Sequence, residues 1–115
     1  MSPPLEDLLG SIVAQPGVVG AVVATLDGLV MGSVAMVDED ADAVGAVASL
    51  LARSLRSSGE SSGVLAVAGG TICVATGEML VVAALVEDET DSHEVAMMLE
   101  PLVAEMETWV RPAER

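Results

Sequence analysis

The sequence contains no lysine, phenylalanine or tyrosine, and only one cysteine, one histidine and one tryptophan. Without lysine there is no phosphate-binding P-loop motif, no Schiff base and no Ser-Lys nucleophile pair. One cysteine and one histidine are too few for an ordinary zinc site. A single aromatic residue gives stacked nucleic-acid bases no platform. We therefore expect no cofactor, no metal and no small-molecule substrate.

Cys73 and His93 are the residues on which thiol or hydrolytic chemistry would have to depend. Cys73 lies inside an apolar run, where burial raises the pKa of a thiol and makes it inert. His93 follows Asp91 and Ser92 at a predicted helix start, where adjacent side chains point in different directions and do not converge as a triad does. We interpret Cys73 as a core residue and His93 as a helix-start residue, and we expect no enzymatic activity.

Negative charge dominates the chain, with eighteen acidic residues against four arginines and a formal net charge of −14. Nucleic acids and anionic lipids are bound mainly through Lys and Arg, so neither is an expected partner. Two explanations of the charge stay open. It keeps an unusually apolar domain in solution or adapts it to a salty cytoplasm, or it steers a basic protein partner toward the surface.

The hydrophobic fraction is 52%, which raises the question of a membrane span. The longest apolar stretch, residues 63–86, is interrupted by Gly69-Gly70 and Gly77 and contains Glu78. Its Val, Ile and Thr content favours short strands over a membrane helix. The N-terminus has no basic region before an apolar stretch, and one cysteine forms no internal disulfide, so we predict a cytoplasmic protein.

The hydrophobic pattern predicts a single domain over residues 1–115, with the order αββαβββα and a frayed tail after about residue 110. A first helix is capped by Ser2, opens at Pro3 and ends at Pro16-Gly17. The other predicted helices cover residues 40–57 and the segment after Asp91. Predicted strands cover residues 18–26, 29–36, 64–68, 71–76 and 79–86.

Three predicted turns join these strands. Asp27-Gly28 suits a two-residue type I′ turn, and Gly69-Gly70 and Gly77-Glu78 suit tight turns within a three-stranded meander.

The last helix carries two local signals. Asp91 with Glu94 three residues later resembles a capping box. Pro101 removes one backbone hydrogen bond and clashes with the preceding turn, so we expect a kink or a break between Met98 and Pro101.

The predicted strands read as apolar runs without alternation, which is typical of strands covered on both faces. Five antiparallel strands make a sheet about 20 Å wide, whereas one helix covers about 10 Å. The two terminal helices can share one face, which leaves the middle helix alone on the other. Part of that second face is then uncovered, and we expect a second protein chain to cover it.

The middle helix has more apolar surface than one contact with a sheet requires. One stripe contains Val44, Ala48, Leu51 and Leu55. A second stripe, Val47 and Leu50, faces either another chain or the core of its own subunit.

The remaining arc of that helix is predicted to face solvent or a partner. It contains Gly45, Ser49, Arg53 and Arg56. The two arginines serve either a contact or the negative end of the helix dipole.

Residues 17–30 read Gly-Val-Val-Gly-Ala-Val-Val-Ala-Thr-Leu-Asp-Gly-Leu-Val. This segment resembles the first hairpin of roadblock/dynein light chain domains, which pair a Gly-Val-x-Gly-Ala start with an Asp-Gly-Leu turn. Length and element order extend the resemblance over nearly the whole chain. It implies an α+β, profilin-like fold with a five-stranded antiparallel sheet in the order 2-1-5-4-3. The first and last helices would lie on one face and the middle helix on the other.

The resemblance also implies a non-enzymatic protein that forms homodimers through the middle helices and the third strands. By position, the dimer interface would contain Val44, Val47, Leu50, Leu51, Val64, Leu65, Ala66 and Val67. Bacterial members of the family resemble partners or regulators of small Ras-like GTPases. A GTPase would dock on the paired middle helices and contact Ser49, Arg53 and Arg56. The alternative is a structural adaptor, like a motor-complex light chain, without effect on nucleotide turnover.

Overall fold

The structure, a computed structural model, describes residues 5–110. Within this range the chain has the predicted order αββαβββα. Helices α1, α2 and α3 span Leu5–Val13, Asp38–Ser57 and Ser92–Val110. Strands β1 to β5 span Val18–Thr25, Val30–Val34, Ser62–Val67, Gly70–Thr76 and Leu80–Val86. The predicted Ser2 cap, the Pro3 start and the frayed tail lie outside the described residues.

The five strands form one antiparallel sheet in the order β2-β1-β5-β4-β3, which confirms the order that the resemblance implied. Strand β5 lies at the centre, where Ala84 pairs with Ala21 of β1 and with Cys73 of β4. The three inner strands β1, β5 and β4 are buried at almost every residue. Their continuous apolar sequence reflects helices on both faces of the sheet.

Two apolar cores lie on the two faces of the sheet. On one face α1 and α3 bury Leu9, Ile12, Leu99 and Met106 against the strands. On the other face α2 covers a second core by itself. The prediction that the terminal helices share one face is confirmed.

The connection from β1 to β2 differs from the predicted two-residue type I′ turn. That turn needs a positive φ at both central residues, but Gly28 has φ 101° and Asp27 does not have a positive φ. The loop has three residues, because the Thr25 N–H donates to the Leu29 carbonyl at 2.9 Å and the Gly28 N–H donates to the Thr25 carbonyl at 3.0 Å. The Thr25 hydroxyl also donates to Asp27 at 2.7 Å and holds the pKa of that carboxyl below its usual value. The type I′ prediction is therefore wrong.

Helix α3 continues through Pro101 as one element. The sequence predicted a kink or a break between Met98 and Pro101, and the helix is not broken there, because Leu99 before the proline and Val103 after it are both buried in the same core. The predicted cap is present, since the Asp91 carboxylate accepts a hydrogen bond from the Glu94 N–H at 3.2 Å.

A buried carboxylate joins α3 to the turn between β4 and β5. Oε2 of Glu107 accepts hydrogen bonds from the N–H groups of Met79 at 2.6 Å and Leu80 at 2.9 Å. Glu107 is buried although its side chain is acidic. Gly77 permits this approach, because a Cβ there would collide with the carboxylate. The carboxylate therefore satisfies backbone donors that the turn leaves unpaired.

Cys73 is fully buried within β4, on the face covered by α1 and α3. Its thiol donates to the Ser92 carbonyl at 3.2 Å. Burial raises the pKa of the Cys73 thiol to about 11. At neutral pH the group is therefore protonated, and a protonated thiol is a poor nucleophile.

We expect Glu107→Ala to lower the free energy of unfolding by about 2 to 4 kcal/mol, because the N–H groups of Met79 and Leu80 would lose their acceptor. Glu107→Gln keeps a carbonyl oxygen and should lose less. Urea denaturation measures both, with Glu105→Ala in the same helix as the control. Equal losses for Glu105→Ala and Glu107→Ala would contradict this role.

We expect Cys73 to react with a thiol reagent at pH 8 at least about a hundredfold more slowly in the native chain than in urea, since the thiol is buried and its pKa is raised. Absorbance of the released chromophore measures both rates. Prompt stoichiometric labelling of the native chain would show that the thiol is accessible.

Candidate functional site

The face of α2 that meets the sheet consists of small residues. Its buried positions are Ala41, Gly45, Ala48, Ser49 and Ala52. A Cβ on Gly45 would lie 2.8 Å from Cγ2 of Val30, so the helix backbone comes close to the sheet at this point. Small side chains therefore determine which side of α2 faces inward.

This orientation corrects the predicted outward arc of α2. Gly45 and Ser49 were expected to face solvent or a partner, but both are buried. The Ser49 side chain is 2% exposed, and its hydroxyl lies 2.8 Å from the Gly45 carbonyl and 3.1 Å from the Thr25 carbonyl. Ser49 is therefore not available to a partner, and its prediction as a contact residue is wrong.

Arg53 and Arg56 are exposed, and each also binds a loop of the same chain. Nε of Arg53 donates to the Leu26 carbonyl at 3.3 Å, and Nη1 of Arg56 donates to the Gly77 carbonyl at 2.5 Å. These bonds connect the C-terminal half of α2 to the β1–β2 and β4–β5 loops. Both side chains remain accessible for a further contact.

The large apolar residues of α2 lie beside its buried face. Val44, Val47 and Leu51 are half-buried and pack at the border of the α2 core. Leu50 points away from the sheet and is 64% exposed. These four residues are the helix residues of the predicted dimer interface. Together they form an apolar surface that the rest of the chain covers only in part.

Strand β3 lies at the edge of the sheet beside this surface. Val64 packs toward the core of α1 and α3, whereas Val67 packs toward the core of α2. Leu65 is 40% exposed and Ala66 is exposed. Ser62–Val67 contains no charged residue. An uncharged edge strand with free backbone groups is able to pair with a strand of another chain.

A groove of about 570 Å³ runs between α2 and one end of the sheet. Its lining residues are Val19, Ala35, Met36, Val37, Asp40, Ala43, Val44, Val47, Val67, Ala68, Ile72 and Leu85. Only Asp40 among them is charged. Val19 and Val37 are exposed and come from separate segments of the chain, and the sequence did not predict them as part of a surface. Their apolar character was the only sequence signal.

Within residues 5–110, no cluster of three or more His, Cys, Asp or Glu side chains is arranged to bind a metal ion. None of the helices in that range has the length and apolar character needed to cross a bilayer. The distinctive surface of the described chain is the apolar one formed by α2, β3 and the groove.

The fold is similar to solved bacterial structures. A Roadblock/LC7 domain from Streptomyces avermitilis is 24% identical with a TM-score of 0.80, over 94% of this chain and 98% of that one. A second domain from that organism is 27% identical with a TM-score of 0.71, over 90% and 99% of the two chains. MglB of Myxococcus xanthus is 9% identical with a TM-score of 0.67, over 94% and 97%.

A comparison with curated proteins gives no match. The family model of the Roadblock/LC7 domain matches residues 4–84, which is more than half of the chain. The match includes the first hairpin, α2, β3 and β4. The chain therefore belongs to the Roadblock/LC7 domain family.

Proposed function

We propose that the chain forms a homodimer through α2 and β3. The observation that carries this proposal is the apolar surface of Leu50, Val47 and Leu65 next to an uncharged strand edge. Exposed apolar groups gain about 25 cal/mol for each Å² removed from water, and β3 has backbone groups available for pairing. The proposed interface is the one named from the sequence: Val44, Val47, Leu50, Leu51, Val64, Leu65, Ala66 and Val67.

We further propose that the dimer binds a small Ras-like GTPase and changes its nucleotide turnover. Two observations support this. The chain belongs to a family whose bacterial members resemble partners or regulators of small Ras-like GTPases, and its fold is similar to those of MglB and MglC of Myxococcus xanthus. MglB also has a structure with a tetrameric arrangement, so that protein associates beyond one chain. The GTPase would dock across the two α2 helices, with Arg53 and Arg56 as contacts.

We expect the wild-type chain to sediment as a dimer at micromolar concentration, with twice its mass of 11.6 kDa. Leu50→Glu should shift it to monomers, because the dimer would bury an unpaired carboxylate. Met97→Glu is the matched control, since Met97 is 68% exposed on α3, on the opposite face of the sheet. A folded dimer with Leu50→Glu would show that the interface is misplaced.

We expect a small Ras-like GTPase from the same genome to bind the wild-type chain and to hydrolyse GTP at a changed rate. The binding isotherm and the phosphate released in single turnover measure the two effects, with Leu50→Glu as the control that lacks the dimer surface. Absence of binding would overturn the GTPase role. Tight binding with unchanged hydrolysis would overturn the regulatory part and indicate a structural adaptor.

A further inference from the structure

The groove between α2 and the sheet has one end that lies outside the proposed dimer interface. Val44, Val47 and Val67 line the groove and belong to that interface. Five other lining residues do not belong to it, and we call them the Val37 end of the groove: Val19, Ala35, Met36, Val37 and Leu85. The proposed dimer therefore accounts for one side of the groove and leaves the Val37 end without an occupant.

The Val37 end is apolar and open to solvent. Val19 is 43% exposed and Val37 is 65% exposed. Met36 packs on the backbone of Gly20, where a Cβ would lie 2.8 Å from Cε of the methionine. A small-molecule site needs several polar groups that orient the ligand, and only Asp40 among all residues that line the groove has a polar side chain. Exposed apolar side chains that share a concave surface are instead typical of protein interaction sites.

Two residues of the Val37 end are unfavourable for the local backbone. Ala35 has φ 64°, in the left-handed region, and no other residue except glycine has a positive φ within residues 5–110. Val37 is the N-cap of α2 and makes no side-chain capping bond. Serine, threonine, aspartate and asparagine are the favoured N-cap residues, whereas valine is among the poorest. Natural sequences break such local rules mainly at functional sites, so this connection favours an interaction role.

Acidic side chains from two segments lie around the Val37 end. Asp38 and Glu39 are exposed in the first turn of α2. The exposed run Glu-Asp-Glu at residues 87–89 follows β5. The Glu87 N–H donates to the Gly17 carbonyl at 2.9 Å, so this run begins beside the start of β1. The apolar surface thus has an acidic rim.

This rim has no basic residue of the described chain to pair with. Within residues 5–110 the arginines are Arg53 and Arg56, and they bind the Leu26 and Gly77 carbonyls from the C-terminal half of α2. A partner that carries lysine or arginine beside apolar side chains would match both the groove and its rim. The Val37 end presents side chains rather than a free strand edge, which suits an amphipathic helix better than an added strand.

We propose that the Val37 end of the groove binds a basic amphipathic helix of another protein. The apolar face of that helix lies in the groove, and its lysines or arginines face Asp38, Glu39 and the run 87–89. This inference goes beyond the proposed homodimer and the proposed GTPase contact, because it concerns a separate surface and a second partner.

The test is the binding of a labelled leucine-lysine peptide of about fifteen residues, long enough to form a helix with all leucines on one face. Fluorescence anisotropy at one fixed salt concentration gives its dissociation constant for the full chain. A peptide with glutamate in place of every lysine should bind at least about tenfold more weakly, because the acidic rim repels it.

Two variants with matched controls locate the site. Val37→Ser should weaken binding of the leucine-lysine peptide about tenfold, since an apolar contact is lost. Leu29→Ser should leave the constant within about twofold, because Leu29 is 68% exposed on the β1–β2 loop and does not line the groove. Val37→Ser should also raise the midpoint of urea denaturation, since serine is a favoured N-cap, so weaker binding would not reflect unfolding.

The charged rim is tested by neutralisation. Asp38→Asn combined with Glu39→Gln should weaken binding about threefold. Glu6→Gln combined with Asp7→Asn is the control in the first turn of α1, and each combination changes the formal net charge from −14 to −12.

Equal constants for Val37→Ser and Leu29→Ser would overturn the inference, and so would equal binding of the lysine and glutamate peptides. A changed oligomeric state of Val37→Ser in sedimentation would also overturn it and would identify a second copy of the chain as the occupant. A wild-type chain that is monomeric and binds the leucine-lysine peptide as described would overturn the homodimer and support the groove. The failures of the two proposals are therefore distinguishable.

Discussion

The close contact between the small-residue face of α2 and the inner strands is the constraint on which the rest of the surface depends. Gly45, Ala48 and Ala52 project little, so the helix lies near the sheet and its backbone is well packed. The bulky residues then have no place beneath the helix. Val47 is moved to the flank and Leu50 to the outside. The exposed apolar surface of α2 is thus a consequence of how this helix packs on the sheet of the same chain.

Much of the fold was predictable because its signals are local. The continuous apolar strands, the position of the hairpin at Asp27-Gly28 (though not its turn type) and the acidic start of α2 were each predicted from the chemistry of a few neighbouring residues. The strand order came from the family resemblance, since periodicity does not specify which strands are neighbours. The inward side of α2 could not be read correctly, because hydrophobic periodicity gives little weight to Gly45 and Ser49. The helix packs on the sheet through these small residues.

The remaining errors have tertiary causes. An interior proline costs a helix about 3 kcal/mol, but each buried side chain such as Leu99 or Val103 contributes about 1.5 to 3 kcal/mol, so packing on both sides of Pro101 preserves α3. The groove is lined by Val19 and Val37 together with residues of α2 and β5. These segments are far apart in the sequence, so no periodic pattern could predict that they line one groove. Arg53 and Arg56 were predicted to lie on the surface, but their hydrogen bonds to backbone carbonyls of nearby loops depend on the folded chain and could not be predicted.

Strand β3 lacks the usual protection of an exposed edge. Natural proteins guard such edges with lysine, proline or an inward charge, and Ser62–Val67 has none of them. If the proposed dimer covers this edge, a monomeric chain leaves a strand to which strands of other molecules can add, and such addition is a first step toward aggregates. Mutual repulsion between chains of charge −14 opposes that addition, and concentrated salt screens the repulsion. The solubility of the monomeric chain should thus depend on ionic strength far more than its folding stability does.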